Sequence, residues 1–205
     1  MCGMNQLRHI SRQTVSLALA ATVVLALSSG GVVAHEGTGL SGGFISGFLH
    51  PLTGPDHVAA MVAVGLWGAF LGSPAMWTLP VVFPLVMAFG GVLGILGVPL
   101  PYVETGIASS ALILGLMVAL AVKPPIWIAA VIVGVFAIFH GHAHGTELPD
   151  AANPIAYGVA FVVATGLLHL CGIAFGLLTK WPQGQLAVRA GGGVIAAAGL
   201  FFLLS

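Results

Sequence analysis

The sequence predicts an all-α integral membrane protein: six transmembrane helices behind a cleavable N-terminal signal peptide, the first helix broken between Pro51 and Pro55. Three observations carry this reading. Of 205 residues, 59% are hydrophobic and only 5% are charged, a composition that makes the bilayer the solvent. Turn signals divide the chain into apolar segments near the length that crosses a hydrocarbon core, about 17 to 25 residues. The few charges sort to opposite ends of those segments.

Residues 1–34 read as the signal peptide. Arg8 and Arg12 precede the apolar stretch Val15 to Leu27, and small residues lead to Val32-Val33-Ala34, the pattern of a charged n-region, a short h-region and a cleavage site. Cleavage there leaves residues 35–205 as a single transmembrane domain beginning His35-Glu36-Gly37.

The six segments follow in order: Gly42 to Leu71, Trp77 to Gly97, Glu104 to Val122, Ile126 to His142, Pro154 to Leu178 and Leu186 to Leu204. The connections between them read GSPA, VPLPYV, KPP, GTELPDAAN and KWPQGQ. Helices are expected because they satisfy their own backbone polar groups in lipid. No soluble domain is left over. With net charge zero, neither a nucleic-acid footprint nor a basic membrane-surface patch is present.

Cytoplasmic loops collect Lys and Arg, whereas acids are nearly neutral in setting orientation. With the mature N-terminus outside, Lys123, Lys180 and Arg189 all fall on the cytoplasmic side, and Glu36, Glu104, Glu147 and Asp150 on the other. Small residues recur four apart at Gly43/Gly47, Gly68/Gly72, Gly90/Gly94 and Gly172/Gly176, a spacing that lets helices approach closely in lipid.

Ionisable side chains inside a membrane cost several kcal/mol (about 2.5 to 3.5 on insertion scales) and call for a function. The first segment holds His50, Asp56 and His57 within HPLTGPDH. On a regular helix the two histidines would lie about 20° apart in rotation and about 10 Å apart along the axis. Pro51 and Pro55 cannot donate helical hydrogen bonds, however, and Gly54 adds freedom, so a break is expected here. It would fit a segment of about 45 Å if straight into a membrane about 30 Å thick, as in the broken helices of many transporters. The simpler alternative makes Asp56 the cap of a helix starting at His57. Two imidazoles and a carboxylate suit a borderline divalent ion such as nickel, cobalt or zinc.

The fourth segment ends in FAIFHGHAHGTELPD. If its helix continues, His140, His144 and Glu147 share one face and His142 points away; a histidine-rich external loop is the alternative. The charge-derived orientation puts both clusters in the external half of the membrane.

The pair of motifs, His50-Pro-x-x-Gly-x-Asp56-His57 and Phe139-His140-Gly-x-x-His144-Gly-x-Glu147, resembles those of the HupE/UreJ family, and the similarity spans essentially the whole mature chain. The resemblance implies a small secondary nickel permease serving hydrogenase or urease maturation in the bacterial inner membrane. It assigns the metal to His50, Asp56, His57, His140, His144 and Glu147. Spacing alone points only to a divalent transition metal.

Weaker metal candidates are His35 with its new α-amine, His142, Glu104 and His169. Cys171 reads as a buried, inert thiol and Asp150 as a solvated loop residue. No cofactor is expected, nickel being cargo. Neither lysine sits in a phosphate-binding glycine-rich loop, so the chain hydrolyses no nucleotide by that route and reads as a channel or secondary permease, not an enzyme. The other open readings are a membrane-embedded metal-binding accessory protein or sensor and a membrane metallo-hydrolase, the latter without a helical H-E-x-x-H.

Overall fold

The computed structural model describes residues 39–148 and 153–205; the signal-peptide reading, His35, Glu36 and Asp150 lie outside the described residues. Among the described residues there are seven α-helices: α1 (Gly39–Thr53), α2 (Pro55–Leu71), α3 (Ala75–Ile95), α4 (Val103–Ala119), α5 (Ile126–Thr146), α6 (Pro154–Gly176) and α7 (Pro182–Leu204). One 3₁₀ turn, Leu177–Lys180, follows α6.

Four helices, α3, α5, α6 and α7, are long and apolar enough to cross a membrane, and α1 with α2, bent by 81° at their break, pass the same test only together, as a broken span or a re-entrant loop. The chain is therefore a multi-pass helical membrane protein. The remaining predicted segment is α4, whose 17 residues reach about 26 Å, at the short end of the spanning range.

The charges lie at opposite ends of the same helices. Asp56 at the start of α2, Glu104 at the start of α4, and Phe202 and Leu203 at the end of α7 line one cavity. At the far ends, Lys123 Nζ stands 4.9 Å from the centre of the Phe70 ring, Arg189 Nε donates to the Ala119 carbonyl at 2.8 Å, and Trp67 Nε1 donates to the Val122 carbonyl at 3.2 Å. These side chains thus satisfy or cover the ends of α2 and α4, where carbonyls lose their helical partners.

Glycine sets how closely the helices pack. A Cβ on Gly141 would overlap the Met87 carbonyl of α3, and one on Gly145 the Gly91 carbonyl; Gly90 and Gly94 of α3 meet the Ile138 and His142 carbonyls in return. Gly43 and Gly47 of α1 fit against the backbone of Asn153 and Tyr157, while Gly172 of α6 fits against the Val62 carbonyl of α2. Backbone thus touches backbone without an intervening side chain, the packing that small residues permit in lipid. One expected pair fails. Gly72 is not part of a helix face but ends α2 at φ 85°, a conformation a side chain would disfavour.

The predicted burial of Cys171 is also wrong, because this residue is exposed on α6. The packing of α2 against α6 at His169 leaves it on the outer side of the helix, beside exposed Leu167 and Leu170.

Candidate metal centre

Local rules at two helix ends assemble the centre. Pro51 stays inside α1, and the chain breaks three residues later. Thr53 Oγ1 donates to the His50 carbonyl at 2.8 Å, Gly54 is extended (φ −91°, ψ 106°), and Pro55 opens α2, a position where its missing N–H costs nothing. The break therefore falls inside the predicted Pro51–Pro55 window, and its hinge is Gly54.

Asp56 does not cap a helix beginning at His57, because the N-cap is Gly54. Its Oδ1 instead accepts two hydrogen bonds from the next residue, from the His57 backbone N–H and from His57 Nδ1–H, each at 2.8 Å. The carboxylate fixes the orientation of the ring beside it.

At the other helix end, α5 runs to Thr146 rather than stopping at His142 as the sequence suggested. The interleaved glycines do not end it, since Gly141 and Gly145 are held tightly against α3. His140 and His144 are consequently one turn apart, about 100° around the helix from those glycines, and Glu147 follows as the C-cap.

The bent span and α5 bring these groups together. The His57 ring lies 5.0 Å from that of His140 and 4.5 Å from that of His144. His50 lies 4.9 Å from His144, and its Nε2 is 3.0 Å from Glu147 Oε2. His50, His144 and Glu147 each offer a ligand atom, all within 4.8 Å of one another. All six main sequence candidates therefore join one continuous chain of side chains. Tyr157 and Phe161 of α6 wall it, the Phe161 ring standing 4.2 Å from His144, and Phe83 of α3 closes it below, 5.4 Å from His140.

Exposure is greatest toward the carboxylates of this chain, Asp56 standing at 23%, and least at the rings between them. The side chain of Glu147 is 50% exposed and that of His50 31%; His57 is at 12%, His144 at 6% and His140 at 0%. The arrangement is a funnel, wet at Glu147 and dry at His140.

Proton placement follows from the partners. His140 Nδ1 lies 3.0 Å from the Phe136 carbonyl, which can only accept, so Nδ1 carries the hydrogen and Nε2 the lone pair. His57 is fixed the same way by Asp56. The Nε2 atoms of His57 and His140 and both ring nitrogens of His144 are buried without a hydrogen-bond partner among the described residues. Such atoms are costly in a packed interior. An imidazole anchored through one nitrogen with the other presented is how metal-binding histidines are held. At the mouth, the hydrogen bond from His50 holds the Glu147 carboxyl below its usual range, against the opposing effect of partial burial.

The weaker candidates lie apart. His142 Nε2 donates to the Val98 carbonyl at 2.7 Å, away from the cluster. Glu104 faces Asp56 across a cavity of about 330 Å³ without joining the chain. His169 lies deeper, its Nδ1 2.8 Å from the Met61 carbonyl. Sequence reasoning missed the walls, Tyr157, Phe161 and Phe83. Tyr157 carried a signal, as one of only two tyrosines, set in an otherwise apolar segment; its buried hydroxyl has no partner among the described residues. The two phenylalanines are indistinguishable in sequence from lipid-facing ones.

A family model described as "HupE / UreJ protein" matches residues 22–202. The chain is also 47% identical over 173 residues to Protein HupE of Rhizobium leguminosarum bv. viciae, an alignment covering 84% of this chain and 91% of that protein. No solved structure matches the chain.

Proposed function

Because the chain belongs to the HupE/UreJ family, we propose that it is a secondary permease importing nickel(II), with cobalt(II) as the competing ion, across the bacterial inner membrane to supply hydrogenase or urease maturation. In this reading the signal peptide is removed, α4 completes six spans, and the mature N-terminus lies in the periplasm with Glu104 and Glu147. Lys123, Lys180 and Arg189 then face the cytoplasm, as the distribution of basic residues requires.

The observation that carries the proposal is the funnel itself. Four imidazoles and two carboxylates run from half-exposed Glu147 to fully buried His140, and three of those rings present buried nitrogens with no partner among the described residues. A hydrated divalent ion reaching the acidic mouth exchanges water for Glu147, His50 and His144, whose ligand atoms already lie within 4.8 Å of one another. His57 and His140, in ring contact with each other, take it deeper. Six simultaneous ligands would trap the ion, so two or three act at a time with water completing the shell. Nitrogen donors of this kind select late first-row ions over magnesium or calcium, which prefer oxygen.

Uptake of radioactive nickel by proteoliposomes holding the purified chain tests the proposal. A permease fills the lumen to many ions per protein, whereas a binding accessory or sensor saturates at stoichiometric nickel. Saturation at one or two ions per chain would refute transport.

A further inference from the structure

The α6 face that walls the metal cluster continues past it toward the cytoplasmic end of the helix. Tyr157, Phe161, Thr165 and His169 recur every four residues and are all buried. The first two touch the His50 ring. Thr165 and His169 lie one and two turns further, about 6 and 12 Å along the axis from Phe161.

Both are polar in a way that packing does not account for. Several helical hydroxyls bond back to a carbonyl of the preceding turn, as Ser46 does to Gly42, Thr78 to Pro74 and the equally buried Ser110 to Ile107. Thr165 Oγ1, fully buried, makes no such bond. His169 is 1% exposed, and its Nδ1–H donates to the Met61 carbonyl of α2, which fixes the lone pair on Nε2. That nitrogen is buried without a partner among the described residues. His169 therefore repeats the arrangement of His57 and His140: Nδ1 anchored to an oxygen, Nε2 presented. It is also linked to His140 through one side chain, since the Phe83 ring lies 5.4 Å from His140 and 5.4 Å from His169.

We propose that His169, with the Thr165 hydroxyl beside it, is a second, inward station for the transported divalent ion, reached from His140 past the edge of Phe83. This rests on the permease reading. The inward path follows the α6 stripe between α2 and α3, from half-exposed Glu147 to His169, which is 1% exposed. Handover requires α2 and α6 to shift at this level, where the contact between Gly65 and the His169 carbonyl leaves no slack.

The test uses the full chain, with nickel(II) chloride as probe, and reads two quantities: the initial rate of nickel entry into proteoliposomes, and the nickel Kd of the detergent-solubilised protein by titration calorimetry. His169→Leu keeps bulk but removes the ligand. His169→Gln keeps a side-chain N–H able to serve the Met61 carbonyl and so leaves a merely structural role intact. The expected result for both is an entry rate at least fivefold lower with a Kd within twofold of the parent, because the outer cluster still captures the ion. A rate reduced less than fivefold in either folded variant overturns the proposal. So does a joint loss of binding and entry in a folded variant, which would merge His169 with the outer cluster. If His169→Leu does not elute as a folded species, His169→Gln alone decides by the same thresholds. Failure of the permease reading is separately visible, as absence of nickel entry with the parent protein.

Discussion

Replacing Asp56 by Asn isolates the charge that orients His57. In the native chain, Asp56 Oδ1 accepts from both the backbone N–H and Nδ1–H of His57 at 2.8 Å, and an amide oxygen in the same place can accept both. Geometry is retained and only the negative charge is lost. A hydrogen bond to a charged group contributes about 1.5 to 3 kcal/mol against about 0.5 to 1.5 for a neutral one, so the change weakens the anchor by roughly 1 to 1.5 kcal/mol. If that loss passes to the ring's hold on the ion, nickel binding weakens by about five- to tenfold. Asp56→Ala removes the anchor as well, and should cost about 10- to 100-fold, the usual range for the groups that orient metal-binding histidines. Titration calorimetry of nickel(II) into detergent-solubilised protein measures both. Kd values within twofold of the parent for both variants would refute the claim that Asp56 acts by presenting His57 Nε2.

Other outcomes follow from the same geometry. His57→Ala and His140→Ala should abolish nickel-dependent hydrogenase or urease activity at limiting metal in a host without other nickel uptake, at unchanged protein level by immunoblot, whereas Asp150→Ala should not. Metal binding needs unprotonated imidazole, and ordinary imidazoles gain a proton below about pH 6.5, so nickel entry should fall as external pH drops from 7.5 to 5. Glu147, held below its usual range by His50, stays ionised through that window; Glu147→Gln should therefore slow entry across the whole of it. Gly141→Val forces a side chain into the Met87 carbonyl of α3 and should destabilise the fold by about 1 to 3 kcal/mol or more, as overpacking does. Gly158→Ala, where a Cβ meets nothing within 4 Å, should be neutral or stabilising by about 0.5 to 1 kcal/mol; thermal unfolding in detergent separates the two.

Much of the site was legible in the sequence because its chemistry is expensive in lipid. His50, Asp56, His57, His140 and His144 stand out where each ionisable group needs a reason, and the prolines around Gly54 announce the break. The 81° bend between α1 and α2 was not legible, since proline and glycine mark where a helix yields but not how far. The end of α5 was misplaced at His142 for a similar reason. Glycine is a poor helix former in isolation, yet Gly141 and Gly145 are held in the helix by close contact with Met87 and Gly91, a tertiary effect no local reading contains. Nor does periodicity reveal which of two buried-looking faces meets a neighbour. Cys171 and His169 are two residues apart on α6, and only the packing of α2 against that helix turns His169 inward and leaves Cys171 exposed.

The central claim is that the groups of the bent span and of α5 act on one ion in a common pocket. X-ray absorption of the nickel-loaded, detergent-solubilised protein tests it most directly. Two or three imidazole nitrogens with oxygen completing the shell are expected in the parent, and a nitrogen count lower by one in both His57→Gln and His140→Gln, one ring on each side of the pocket. A shell of oxygen alone, or one unchanged by either substitution, would contradict it.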